Sequence, residues 1–268
     1  MNEYLEANRM RWDELTPLHA GSAFYDLEGL KAGGLTLMPL EREELGDVAG
    51  QSLLHLQCHF GLDTLSWARL GAQVTGVDFS EEAITLARSL SDELGIEADF
   101  ICSNLYDLPT VLTGQFDIVF TSYGVLCWLL DLIRWAEVIA HFLRPGGTFY
   151  IAEIHPFAMV FYDEEDAEDL QVFYPYFYTT EPLRFEEEGS YAVPDAKVVH
   201  KVTYEWQHGL GDVVNSLISA GLRIEFLHEF PYACERMFPF LVQDPEGWWR
   251  LEGHPGSIPM TFSLKATK

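Results

Sequence analysis

Positive charge is what this sequence has least of: 16 lysines and arginines stand against 42 aspartates and glutamates in 268 residues, a formal net charge of −26. Such a surface repels phosphate backbones and anionic membranes, which argues against a nucleic-acid reader or a membrane partner and favours a small-molecule or cationic one. Acidic runs such as Asp163–Asp166 and Glu186–Glu188 are also the ordinary composition of solvated faces. Cysteine is sparse too. Cys58, Cys102, Cys127 and Cys234 form no CxxC pair, so reduced thiols are expected rather than a disulfide framework. The nine histidines are equally scattered, and no metal site is expected. Long apolar runs are missing, and no export leader is read at the start, so a cytoplasmic protein is expected.

What is present is a composition that folds, 48% apolar and 14% aromatic, in a length that suits one large domain with insertions. The stretch Ser52 to Ser80 organises it. Ser52–Leu56 reads as an apolar strand, Gln57–Gly61 as a tight turn, Leu62–Leu70 as a helix and Val74–Val77 as a second strand ending on Asp78. An acid about 20 residues beyond such a turn is where nucleotide-binding βαβ units receive ribose hydroxyls.

Downstream, Ser80 is placed to cap a helix with Glu81 and Glu82 in its first turn and Gly95 at its end. Strands follow at 98–102, 116–121 and 148–154, with a helix expected over 127–143. Repeated alternation of strand and helix implies a mainly parallel sheet covered on both faces. Upstream, residues 3–15 read as a helix stopped by Pro17, and the glycine-rich stretch after it reads as irregular. After Ile154 the chain turns aromatic and acidic, and LRFEEE and VVHKVTYEW read as antiparallel strands of an insertion. A helix at 210–220, a strand at 222–230 and a last antiparallel strand at 260–266 complete the pattern. The division expected is an N-terminal helix and lid-like arm (1–40), a Rossmann-like core (41–154), an insertion serving as substrate lid (155–206), and completion of the core (207–268) with an aromatic loop at 231–259.

In this order the motifs resemble a class I, Rossmann-like methyltransferase using S-adenosyl-L-methionine. They are the loop after strand one, Asp78, SNLYDLP, FDIVFTSYG and LRPGG. The resemblance implies a doubly wound, mainly parallel seven-stranded sheet with an antiparallel last strand and a β-rich insertion after strand five. It also implies cofactor contacts at Gln57, Cys58, His59, Gly61, Asp78, Phe79, Asn104, Leu105, Thr121 and Ser122. The sequence departs from the family at its first loop, where Gln57 and His59 hold positions usually glycine and His55 stands for an acid. Glycine serves there because backbone must approach the ligand and adopt positive φ.

Methyl transfer from a sulfonium is an in-line displacement for which the cofactor is already activated, so the protein chiefly aligns reactants and excludes water. Where a base is needed, His155 just past strand five is the candidate. His19, Tyr25, Tyr123, Tyr178, Trp206 and His208 are candidate liners of an enclosed site for a small-molecule methyl acceptor. Two other classes fit parts of the pattern: a non-catalytic binding or regulatory protein on the same fold, and a nicotinamide-dependent oxidoreductase.

Overall fold

The computed structural model describes residues 2–253 and 256–268. Residues 254–255, inside the expected aromatic loop, and Met1 lie outside them. In chain order the elements are α1 (Glu3–Ala20), α2 (Leu27–Lys31), α3 (Pro39–Leu45), β1 (Ser52–Leu56), α4 (Leu62–Arg69), β2 (Gln73–Asp78), α5 (Glu81–Leu94), β3 (Asp99–Cys102) and β4 (Phe116–Ser122). They continue with α6 (Leu132–Phe142), β5 (Leu143–Ile154), β6 (Leu183–Glu186), β7 (Val202–Glu205), α7 (Leu210–Ser219), β8 (Arg223–Phe230), β9 (Leu241–Gln243), β10 (Trp249–Leu251) and β11 (Thr261–Thr267).

The main sheet has seven strands in the order β3-β2-β1-β4-β5-β11-β8. The pairs from β3 to β5 are parallel, and β11 enters antiparallel between β5 and β8. Central strands are apolar on both faces because helices cover both. Trp135 and Ile139 of α6 with Val213 and Leu217 of α7 pack on one side. Leu40 of α3 and Trp67 of α4 pack with Phe120 and Tyr150 on the other, and α5 adds Ile84, Ala87 and Leu90 beside Phe100. Strands β6 and β7 form a hairpin inside the insertion, and β9 and β10 form another in the late aromatic loop.

Local chemistry sets the ends of the elements. Ser80 accepts from the Ala83 amide to start α5, and Gly95, left-handed at φ 62°, closes it. Among the boundaries that differ from the sequence reading, three have a local cause. Helix α1 runs through Pro17 to Ala20, because Thr16 Oγ1 bonds back to Trp12 O at 2.8 Å and burial of Leu15, Thr16 and His19 outweighs the amide that proline lacks. Within the stretch read as irregular, Asp26 caps the short helix α2 by accepting from Gly29 N. Helix α6 begins at Leu132 rather than 127. The Glu153 carboxylate accepts the amides of Gly124, Val125 and Leu126, which draws that segment against β5, and Asp131 then caps the helix.

Helix α1 is bound to the insertion by side chains that satisfy its backbone. Asn8 exchanges two hydrogen bonds with Tyr204, donating to its carbonyl at 2.7 Å and accepting from its amide at 2.8 Å. The buried Arg11 guanidinium donates to the carbonyls of Glu187, Gly189 and His200, while Glu14 accepts the Val199 and His200 amides. One face of the helix thereby does for the insertion what a neighbouring strand would do.

Gly61 tests how tightly the first βαβ unit is built. Its φ is +80°, and a Cβ there would lie 2.6 Å from the Phe100 ring. Left-handed strain of about 1–2 kcal/mol adds to overpacking of about 1–3 kcal/mol. Gly61→Ala is therefore expected to lower unfolding free energy by about 2–5 kcal/mol in urea titration, and a loss below about 1 kcal/mol would contradict this packing.

Candidate functional site

The carboxyl ends of β1, β2, β4 and β5 meet at one rim, where open α/β sheets bind ligands. The loop after β1 is left-handed at Gln57 (φ 56°), His59 (φ 50°) and Gly61 (φ 80°). Gln57 and His59 thus adopt a conformation glycine would take without strain, and their side chains hold them in it. Gln57 Nε2 donates to Val125 O at 3.0 Å, and His59 Nε2 shares a hydrogen bond of 3.1 Å with His19 Nδ1. The loop backbone is fixed as well, by His59 N donating to Asp78 Oδ2 at 2.9 Å.

Asp78 ends β2 inside this rim, 8% exposed. Its Oδ1 accepts from Ser80 N at 2.9 Å, so each carboxylate oxygen has one protein donor and room for another. Burial pushes its pKa up to about 6, which leaves it ionised at neutral pH. Beside it, Gln57 Oε1 is a buried acceptor with no partner among the described residues.

The remaining cofactor candidates divide by where their side chains go. Cys58 is buried in the cluster with Phe60 and Phe100, Leu105 is in the core, and Thr121 Oγ1 donates to Leu56 O at 3.1 Å. These three offer the rim only backbone. Phe79 is half-buried next to Asp78. Asn104 Oδ1 accepts from Tyr106 N at 2.9 Å, capping the 3-10 turn Leu105–Thr110. Ser122 Oγ donates to Asp63 Oδ2 at 3.3 Å, and Asp63 Oδ1 accepts from Thr36 Oγ1 at 2.6 Å.

His155, the expected base, lies at the end of β5 with both ring nitrogens hydrogen-bonded. Its Nδ1 accepts from Phe157 N at 3.0 Å, which puts the proton on Nε2, and Nε2 donates to Glu229 Oε1 at 2.9 Å. Both nitrogens are thus engaged, Nε2 toward β8.

The acceptor candidates fall into three groups. His19 and Tyr25 stack at 5.2 Å over the first loop and join Trp12, His59, Phe60 and Trp128 in an aromatic cover. Tyr123 faces α3 and donates to the buried Glu41 at 2.9 Å. Tyr178 stacks on His208, and the two donate to the Leu130 and Leu129 carbonyls. Trp206 N donates to Cys127 O at 2.8 Å, so this last group braces the segment after β4.

With this geometry in hand, comparison with known proteins gives a consistent result. A family model described as "Methyltransferase domain" matches residues 54–151. The ubiquinone biosynthesis O-methyltransferase of Xanthomonas euvesicatoria pv. vesicatoria (strain 85-10) is 29% identical over 158 residues, 58% of this chain and 66% of that protein. A solved S-adenosylmethionine-dependent methyltransferase from Mesorhizobium loti has a TM-score of 0.60 at 22% identity, covering 86% of this chain and 96% of that one. A glycopeptide N-methyltransferase solved with S-adenosyl-L-methionine has a TM-score of 0.53 at 16% identity, covering 85% of this chain and 90% of that one. Residues 54–151 thus match a methyltransferase domain, and the fold is shared with solved S-adenosylmethionine-dependent methyltransferases. The chain's match spans less than two thirds of the length of the ubiquinone-pathway relative.

The cofactor that goes with a methyltransferase domain of this fold is S-adenosyl-L-methionine, and the residues present fit that group. The unpartnered Gln57 Oε1 suits the donor amino group of its methionine portion, and the open acceptor places on Asp78 suit two ribose hydroxyls. Among the described residues no helix is long and apolar enough to cross a membrane, and no cluster of three His, Cys, Asp or Glu is arranged to hold a metal.

Several residues of this candidate site escaped the sequence reading. Trp12 and Trp128 meet edge to face at 5.4 Å, and Ser190 Oγ lies 2.9 Å from His19 Nε2. Tyr191 bonds to Tyr25 through the two hydroxyls, and Ser80 Oγ donates to Asp13 Oδ1 at 2.7 Å. None lies in a motif. Of these links, only the capping position of Ser80 could have signalled a role.

Ser190, His19 and His59 form one line from the insertion through α1 to the cofactor loop. Burial and the Arg11 charge hold His19 down to about 4, and burial with His19 holds His59 well below its usual value. A histidine with a depressed folded pKa gives stability that is complete above its unfolded value near 6.5 and is lost as pH falls toward 4. Acidification across that window should loosen the cover by at most about 3 kcal/mol for His19. It should be seen as faster tryptic cleavage at Lys197 and Lys201 and altered tryptophan fluorescence. In His19→Gln that acid-dependent step should shrink to the part His59 carries through its own burial, and an unchanged profile in the variant would refute the linkage.

Proposed function

We propose that this protein transfers a methyl group from S-adenosyl-L-methionine to a small-molecule acceptor. The observation that carries the reading is the pairing, on one rim, of the buried unpartnered acceptor Gln57 Oε1 with the half-satisfied carboxylate of Asp78. The cofactor supplies a methyl group already activated on a sulfonium. What falls to the protein is binding, alignment and exclusion of water. Asp78 accepts from the sugar, Gln57 from the amino-acid end, and the left-handed loop between them presents backbone rather than bulk.

Glu153 supports alignment indirectly. Four amides, those of Gly124, Val125, Leu126 and Ile154, donate to its carboxylate, so the segment after β4 is held where it borders the reacting end. The aromatic cover formed by α1, the arm and the insertion supports exclusion of water, and it suits a small acceptor better than a macromolecule. With His155 committed to Glu229, no side-chain base is assigned. The likeness to a ubiquinone biosynthesis O-methyltransferase offers oxygen as one acceptor atom.

The non-catalytic reading drew its force from Gln57 and His59 replacing glycine. Because both residues adopt the left-handed conformation of the glycines they replace, that argument is lost. The nicotinamide reading has no GxGxxG turn to support it.

Calorimetry should give saturable binding of S-adenosyl-L-methionine and S-adenosylhomocysteine, with none for NADH. Asp78→Asn keeps the shape but loses charge-assisted hydrogen bonds worth about 1.5–3 kcal/mol, so cofactor affinity should fall about 10- to 100-fold. A metabolite library with methyl-labelled cofactor should then yield a labelled product. Tight NADH binding with none of either sulfur compound would overturn the proposal.

A further inference from the structure

Trp12 sits midway along α1, and its contacts place the indole across the cofactor rim. The ring meets His59 at 5.1 Å and 76°, and Trp128 at 5.4 Å and 89°. His59 belongs to the cofactor loop and its amide donates to Asp78, while Trp128 is held against the end of β4 by Nε1 donating to Gly124 O at 2.8 Å. A third tie comes from the next residue of the helix. Asp13 accepts from Ser80 Oγ at 2.7 Å, and the Ser80 amide donates to the other oxygen of Asp78. The indole therefore joins the two walls of the rim, the loop after β1 and the segment after β4, which Gln57 also joins by donating to Val125 O.

Two independent features say what such a ring can do there. The first is exposure, because the core tryptophans Trp67 and Trp135 are wholly buried whereas Trp12, Trp128 and His59 stay half-buried. Part of each ring still borders open space. Two rings in edge-to-face contact make an inside corner bounded by a face of each, and those faces carry the negative part of the ring quadrupole. The second feature is the lack of a competing cation. Among the described residues, Asp78 and Glu153 are met by backbone amides and by no lysine or arginine. Arg9 and Arg11, the basic residues beside Trp12 on α1, are spent on Glu6 and Asp13 and on the carbonyls of the insertion.

We propose that Trp12, with Trp128 beside it, recognises the positive charge on the cofactor's sulfur and so favours S-adenosyl-L-methionine over neutral S-adenosylhomocysteine. The inference rests on the methyltransferase reading, because the sulfur comes between the two walls only when the sugar is on Asp78 and the amino-acid end on Gln57. In the transfer the sulfur–methyl bond breaks with its electron pair left on sulfur, and the acceptor supplies the pair for the new bond. The sulfur is then uncharged. The indole faces that hold the reactant form thus lose their hold on the product form, and Trp12 acts as a specificity residue that moves no proton.

The test uses calorimetry on the full chain with three ligands of one shape: S-adenosyl-L-methionine, S-adenosylhomocysteine, and sinefungin, which carries a protonated amine in place of the methylated sulfur. In Trp12→Leu, affinity for the two cationic ligands should fall about 5- to 30-fold, the range of a partly desolvated cation–π contact. Affinity for S-adenosylhomocysteine should stay within about twofold, which also reports that the variant is folded with its site intact. Trp12→Phe keeps a ring face and should recover most of the lost preference for charge. Equal losses for all three ligands, total loss included, would make the indole a packing element only and overturn the inference. Unchanged affinities for all three in Trp12→Leu would overturn it as well. Failure of the parent protein to bind any of the three would instead remove the methyltransferase reading, and the inference with it.

Discussion

The Asp78 carboxylate is the interaction on which the rest of the site depends. One oxygen takes the His59 amide and the other the Ser80 amide, so a single buried group sets the cofactor loop and the start of α5 relative to each other. The arrangement extends outward from there. His59, placed by Asp78, meets His19 of α1, while Ser80, placed by the same carboxylate, donates to Asp13 of α1. Helix α1 thus has two contacts to groups that Asp78 orients, and neither contact has a sequence signature of its own.

This explains how a glycine-poor loop keeps a glycine-like path. A left-handed residue with a side chain costs about 1–2 kcal/mol relative to glycine, and there are two such residues here. Net hydrogen bonds contribute about 1 kcal/mol each, so the Gln57–Val125 and His59–His19 bonds are of the size needed to offset that cost. The side chains that replaced glycine also tie the loop to the segment after β4 and to the cover, so their removal would free the loop rather than merely relax it.

The sheet was legible because its signals are local and repetitive. Apolar strands, the Ser80 cap and Gly95 speak through hydrophobic burial and backbone conformation, which neighbouring residues decide. Asp78 was legible for a different reason, its spacing from a turn. Failures came where a distant residue overrides the local pattern. Pro17 does not end α1, because buried contacts farther along hold it, and residues 127–131 do not join α6, because Glu153 takes the preceding amides. His155 looked like a base from its place after β5, yet its partner Glu229 is 74 residues away. No periodicity reports a bond at that separation.

The cover has consequences for how ligands enter. Helix α1 and the insertion share the Asn8, Arg11 and Glu14 bonds, all to backbone, whereas α1 reaches the cofactor loop and the start of α5 through the side-chain pairs His19–His59 and Asp13–Ser80. A hinge opens where the fewest strong bonds must break. The seam between α1 and the cofactor loop is the one closed by side chains. The imidazole pair lies on that seam. Both rings are kept neutral by burial, so they can meet without charge repulsion, and opening exposes them to water, where either one can take a proton. Closure is thereby coupled to a dry interior around the rim, the condition under which a bound sulfonium is shielded from hydrolysis and the carboxylates beside it act at full strength.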